Sequence, residues 1–220
     1  RMTPHVALNT APPLPLIPGA KERERFDFAV IANWIPPGEH VLDLGCGDGK
    51  LLRYLRETKN VSGYGVEIDH EGVLGCIRNG VDVIQSDIEA GLSGFEDRAF
   101  NHVIISQALQ AMHATESILG EMLRVADEAV ISFPNFAYRG NREAIAAGCM
   151  PVSEDLPYDW YDTPNIRIIS IKDFQHFMQQ FGMQAVRELA INTHHHETRG
   201  NQVRYLKNLR ATYGIIMLEM

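Results

Sequence analysis

Cysteine is scarce in this chain of 220 residues: Cys46, Cys76 and Cys149 are the only three, and no pair of them has C-x-x-C spacing. That excludes a disulfide framework and a structural zinc site, and it points to a reducing cytoplasm. Positive charge is also in short supply. Lys and Arg total 20 against 28 Asp and Glu, a formal net charge of −8, with no long basic run. A nucleic-acid partner, which requires clustered cations against phosphate, is therefore not expected. No apolar stretch approaches the roughly 20 residues that span a bilayer, so no membrane partner is expected either. Residues 1–20 carry Pro4, Pro12, Pro13, Pro15 and Pro18 but no charged segment followed by a continuous apolar one, so they do not read as a signal peptide. They are expected to run over the surface as a proline-rich tail. What is present in quantity is hydrophobic residues, 45% of the chain. That is enough for one well-buried α/β domain, expected over residues 21–220.

The most informative stretch is Val41-Leu42-Asp43-Leu44-Gly45-Cys46-Gly47-Asp48-Gly49. Val41, Leu42 and Leu44 suit a strand covered on both faces. The glycines allow positive φ and a close approach by a ligand, and the helix that follows, expected over 50–58, presents its free N–H groups to an anionic group. A dinucleotide fingerprint, G-x-G-x-x-G, would need glycine where Lys50 stands. The E/D-x-G-x-G-x-G spacing is instead similar to motif I of the class I S-adenosylmethionine (SAM) methyltransferases. A purely structural tight turn is the alternative for this motif taken alone.

Two further strand ends support the cofactor reading. Ser62-Gly63-Tyr64-Gly65-Val66-Glu67-Ile68-Asp69 reads as a second strand tipped with carboxylates, and Glu67 is placed to accept ribose hydroxyls. Asp69 fits a helix N-cap better. Val81-Asp82-Val83-Ile84-Gln85-Ser86-Asp87-Ile88 reads as a third strand. In the methyltransferase pattern Asp87 would face the adenine amino group and Ile88 would lie on the ring. The fourth strand, 101–106, brings Ser106 and Gln107 to the rim. The expected cofactor-binding set is thus Asp43, Gly45, Cys46, Gly47, Glu67, Ile68, Asp87, Ile88, Ser106 and Gln107, with SAM or S-adenosylhomocysteine as ligand and no metal.

A helix over 20–34, stopped by Pro36-Pro37-Gly38, precedes the first strand and could close over the cofactor. Strands at 41–44, 62–67, 81–86, 101–106 and 129–133 alternate with helices at 50–58, 70–79 and 115–125. This implies a class I methyltransferase-like, Rossmann-type, doubly wound and mostly parallel sheet of seven strands with helices on both faces. After Phe133 the texture changes. Prolines and a concentration of Phe136, Tyr138, Tyr158, Trp160 and Tyr161 mark an inserted segment at about 134–170, either a lid, a partner surface or loop packing. A helix at 139–147 is expected within it. A helix at 172–181 and strands near 183–191 and 211–219 finish the sheet.

From Trp34 to about Gly182 the chain resembles the MetW family of methionine-biosynthesis proteins, a branch of the class I methyltransferase superfamily. The resemblance rests on the glycine turn and the second strand, on Ser106-Gln107-Ala108-Leu109-Gln110-Ala111, Glu121-Met122-Leu123-Arg124-Val125, Ser132-Phe133-Pro134-Asn135-Phe136, and Met150-Pro151-Val152-Ser153. It is most specific in Leu156-Pro157-Tyr158-Asp159-Trp160-Tyr161-Asp162-Thr163-Pro164-Asn165. It implies a SAM-binding fold and a place in methionine synthesis beside the homoserine O-acyltransferase often encoded next to it. It does not supply a methyl-transfer reaction. The chain departs from the family pattern in the first twenty residues and from about Ala190, where His194-His195-His196-Glu197 reads as a solvated loop rather than a metal site.

Two functions follow. One is an accessory subunit supporting the acyltransferase by contact. The other is a SAM-dependent methyltransferase acting on a small molecule, for which His113, Tyr158, Asp159 and Tyr161 are candidate bases. None of these sits in a diagnostic catalytic motif, and His113 could simply cap a helix.

Overall fold

The structure is a computed structural model that describes residues 25–193 and 199–219. The expectations for residues 1–24 and for His194-His195-His196-Glu197 lie outside it. Strands β1 (His40–Leu44), β2 (Ser62–Glu67), β3 (Val83–Gln85), β4 (Phe100–Ser106), β5 (Ala126–Pro134), β6 (Gln184–Asn192), β7 (Asn201–Gln202) and β8 (Tyr213–Glu219) form one sheet in the order β3-β2-β1-β4-β5-β8-β6-β7. The first five pair in parallel, while β8 runs antiparallel between β5 and β6.

Helix α1 (Phe26–Trp34) precedes β1, and the parallel pairs β1–β2, β2–β3 and β4–β5 are joined by α2 (Lys50–Lys59), α3 (His70–Arg78) and α4 (Thr115–Val125). Helices α5 (Arg139–Ala146) and α6 (Ile171–Gln180) follow β5, and α7 (Lys207–Arg210) lies between β7 and β8. The class I methyltransferase-like α/β architecture is therefore present, with eight strands among the described residues instead of the seven expected. The eighth, β7, pairs only Asn201 and Gln202 with β6, too short and too polar to leave a period in the sequence.

Alternation along the strands divides the core between the two faces of the sheet. Leu42, Leu44, Val103, Ile105 and Ile131 face one side with α4 and α6, while Val41, Ile104 and Val130 face the other with α1 and α2. On α4, Ile118, Leu119, Met122, Leu123 and Val125 are all buried, each contributing about 1.5–3 kcal/mol of transfer free energy. Strand β5 begins three residues earlier than its hydrophobic run. Its first residues are held by the ladder to β4, and the Glu128 carboxylate meets His102 Nε2 at 2.8 Å. Parallel strands leave their C-terminal ends together, and the order reverses between β1 and β4. That is where an open sheet of this kind has a crevice.

Candidate functional site

The crevice is opened by the turn between β1 and α2. Gly45 and Gly47 take φ of 67° and 56°, in the left-handed region. A Cβ on Gly45 would lie 2.9 Å from the Ala108 Cβ, so this glycine serves close packing against the tip of β4. At Gly47 an added Cβ would meet nothing within 4 Å, so its surroundings are open. The turn is fastened to β2 by the backbone. Gly45 and Cys46 N–H both donate to the Val66 carbonyl, at 2.8 and 3.2 Å.

Glu67 completes the fastening. Its Oε2 accepts from Gly47 N–H at 2.7 Å, and Oε1 accepts from Ile68 and Asp69 N–H at 2.9 and 2.8 Å. A carboxylate offers about four acceptor positions, so three donors leave it little spare capacity. Asp69 caps α3, accepting from Gly72 N–H at 2.9 Å. Helix α3 can approach because residue 72 is glycine: a Cβ there would sit 2.8 Å from Glu67 Cγ.

Asp43 lies on the same floor, 2% exposed, and its Oδ1 has no hydrogen-bond partner among the described residues. Burial pushes this carboxyl up to about 8; the Arg25 guanidinium works against the rise and the Glu67 carboxylate adds to it. Cys46 and Cys76 bring their sulfurs to 3.6 Å, and Cys76 Sγ reaches the Gly47 carbonyl at 3.2 Å. Burial pushes both thiols up, so they stay neutral and pack as small apolar groups instead of acting as nucleophiles.

The rim gathers residues far apart in sequence. Ser106 Oγ lies 3.2 Å from Ser132 Oγ, and Gln107 holds φ at 57°, an uncommon value for a side chain of its size. Gln107 Nε2 donates to Asp27 Oδ2 at 3.0 Å, and Asp27 is also paired with Arg25. The start of α1 is thereby clamped over the tip of β4. Ile68 is 62% exposed beside the β2 tip. Ile88 is buried with its Cδ1 3.9 Å from the place a Gly45 Cβ would take, while Asp87 accepts from Glu89 N–H at 2.9 Å.

The candidate bases are dispersed. His113 does not cap α4, whose N-cap is Ala114; its backbone N–H instead donates to Glu89 Oε1 at 2.5 Å. Tyr158, Asp159 and Tyr161 lie on the exposed 156–165 segment, where Tyr161 Oη donates to Asp159 Oδ2 at 3.2 Å. Sequence reasoning missed the Arg25–Asp27–Gln107 clamp, Gly72 and Gln110. Only Gly72 left a signal, in the spacing of Gly72 and Gly75 along one face of α3. The 92–180 region also holds cavities around 109–117 and 134–169, and no helix among the described residues is long and apolar enough to cross a membrane.

Residues 25–218 match the family described as "Methionine biosynthesis protein MetW". A "Bifunctional methionine biosynthesis protein MetXA/MetW" from Rhodopirellula baltica is 40% identical over 167 residues, 71% of this chain but only 27% of that protein. Among solved structures, a SAM-dependent methyltransferase from Mesorhizobium loti superposes with a TM-score of 0.65 at 13% identity, covering 89% of this chain and 98% of the other. One from Archaeoglobus fulgidus gives 0.64 at 16%, covering 90% and 95%. At such identities the likeness extends to the fold.

Proposed function

Since the chain belongs to the MetW family of methionine-biosynthesis proteins, we propose that it is a SAM-binding accessory subunit that supports a homoserine O-acyltransferase through direct contact. The crevice suits the cofactor. Gly47 provides an open cradle, Asp43 a buried acceptor without a partner, and Ile68 an exposed apolar platform. Gly45, Gly47 and Asp43 would hold the amino-acid end, with Cys46 packing beneath. Glu67 would meet the ribose with the one acceptor position its three backbone donors leave, Ile68, Asp87 and Ile88 would meet the adenine, and Ser106 and Gln107 would close the rim. When bound, SAM supplies an activated methyl group, or as S-adenosylhomocysteine none.

The observation that carries the accessory role is the 156–165 segment, whose Trp160 and Tyr161 stand 74% and 70% exposed. Aromatic anchors of this kind dominate protein interfaces, and the prolines around them limit the entropy lost on docking. The relative whose name joins MetXA and MetW in one bifunctional protein supports the same partner. Co-expression with the homoserine O-acyltransferase of the same source should give a complex that co-purifies, with acylation activity that falls when this chain is omitted. Full activity of the acyltransferase alone, with no complex formed, refutes the proposal.

The second reading, methyl transfer to a small molecule, is favoured by one feature. Tyr158 lines a cavity together with Gln110, whose side chain is hydrogen-bonded to the rim residue Gln107. It predicts transfer of labelled methyl from SAM to an acceptor without the partner.

A further inference from the structure

Beyond the C-terminal end of β5, the start of α5 and the 153–156 turn enclose a cavity of about 190 Å³, walled by Pro134, Tyr138, Asn141, Glu154, Asp155 and Leu156. Asn141 is 6% exposed, and the orientation of its amide is fixed, because Nδ2 donates to the Asn135 and Phe136 carbonyls at 3.5 and 3.1 Å. Oδ1 therefore faces away from those carbonyls. It accepts no hydrogen bond among the described residues, and unlike Asp43 Oδ1 it is not sealed from the surface, so it stands open on the cavity wall. A nearly buried acceptor in this position calls for a donor.

The charge on the wall decides the class of donor. Glu154 and Asp155 place two carboxylates there, and no Lys, Arg or His among the described residues lines the cavity. The turn that carries them is closed by two backbone hydrogen bonds, Ser153 N–H to the Leu156 carbonyl at 3.0 Å and Leu156 N–H to the Ser153 carbonyl at 3.2 Å. Asp155 is held further by Tyr213, whose Oη donates to Oδ1 at 2.6 Å. Asn141 stands in the first turn of α5, where the helix contributes about half a positive charge, less than the two carboxylates opposite. Arg142, the next residue, turns its Nε to the Ala137 carbonyl at 2.6 Å. Volume sets the size. An apolar cavity of about 150 Å³ accepts a molecule of benzene's size, so a body of about six to eight heavy atoms fits along Pro134, Tyr138 and Leu156.

We propose that this cavity binds a small primary ammonium compound with a short hydrocarbon body, its N–H groups on Asn141 Oδ1 and its charge facing Glu154 and Asp155. A carboxylate of the same size meets like charge, and a neutral alcohol brings a donor without charge. No residue of this wall belongs to the cofactor-binding set, so the inference rests on neither the accessory reading nor the methyl-transfer one.

The test is calorimetric titration of the whole chain with n-pentylammonium chloride, with and without S-adenosylhomocysteine present. Binding should saturate in the millimolar range or below, 1-pentanol and pentanoate should each bind at least about tenfold more weakly, and saturating S-adenosylhomocysteine should not compete. Asn141→Leu, which removes the acceptor, should weaken binding of the amine by a similar factor. Should that variant not fold, because the Asn135 and Phe136 carbonyls lose their donor, Glu154→Gln provides the second arm. Glu154 is exposed and makes no hydrogen bond or ion pair among the described residues, so the melting temperature should stay unchanged while affinity falls about two- to fivefold. No saturable heat from the wild-type chain at tens of millimolar, equal binding of pentanoate or 1-pentanol, competition by S-adenosylhomocysteine, or full affinity in Glu154→Gln overturns the proposal.

Discussion

Replacing Asp43 by Asn should flatten the pH dependence of stability. Asp43 is fully enclosed beneath the glycine turn, and its carboxyl is raised from 3.8 to about 8. In the unfolded chain the group ionises near its ordinary value, whereas in the folded chain it keeps its proton through neutrality. The unfolded state therefore binds fewer protons than the folded state between pH 4 and 8, and stability falls as pH rises through that window. The contribution is complete below about pH 4 and lost by about pH 8. At about 1.4 kcal/mol per unit, a shift of this size sets a ceiling of about 6 kcal/mol. Water entry and relaxation reduce the ceiling, so a change of at least about 2 kcal/mol between pH 5 and 8 is expected. Asn keeps the shape and the absence of charge, and it removes the proton. Urea unfolding of both proteins at pH 5, 6, 7 and 8 gives the difference curve, in which titrations shared by the two cancel. Parallel curves would refute the claim that burial holds this carboxyl neutral. A variant that became relatively less stable as pH rose would refute its sign.

The two glycines of the turn should separate fold from ligand. Gly45→Ala meets both the positive φ and the Ala108 side chain and should lower the melting temperature by about 4–8 °C. Gly47→Ala meets only the φ and should lower it by about 2–4 °C, yet weaken SAM binding in calorimetry by more than tenfold. Equal losses of stability and affinity in both variants would reduce the turn to a structural device. Glu67→Ala should weaken SAM roughly ten- to a hundredfold and also destabilise the chain, because Gly47, Ile68 and Asp69 lose their acceptor. Glu67→Gln, which retains one oxygen, should recover part of the stability. Trp160→Ala should weaken association with the acyltransferase by at least about 2 kcal/mol with SAM affinity unchanged. Intact association with lost SAM binding would make the segment a lid.

What the sequence showed was whatever chemistry is local along the chain. Asp43, Gly45 and Gly47 sit within five residues, Glu67 and Asp69 close the next strand, and the alternation of apolar runs with helical periods is enough to order the first five strands. The turn, the parallel half of the sheet and the N-cap role of Asp69 could be read for that reason. The misses lie where a side chain's role is set by a partner distant in the chain. Asp27 looks like an ordinary first-turn acid of α1 until Gln107, 80 residues on, donates to it. His113 follows a strand as a cap would, but Glu89 from another turn takes its backbone N–H, and the cap falls to Ala114.

Gln110 shows the limit most clearly. Within Ala108-Leu109-Gln110-Ala111 it carries no pattern of its own, and polar residues after a strand are ordinarily solvated. Its importance comes from two contacts and a burial that only the fold creates: the hydrogen bond its side-chain amide donates to the Gln107 carbonyl, its own carbonyl that anchors 166–167, and the enclosure that leaves Oε1 without a donor among the described residues. The same residue therefore joins the cofactor rim to the aromatic segment. That link makes Gln110→Met a probe of the rim. Because the Gln107 carbonyl loses its donor in this variant, SAM affinity in calorimetry should fall by a small factor, about two- to tenfold, and unchanged affinity would show that Gln110 does not position the rim.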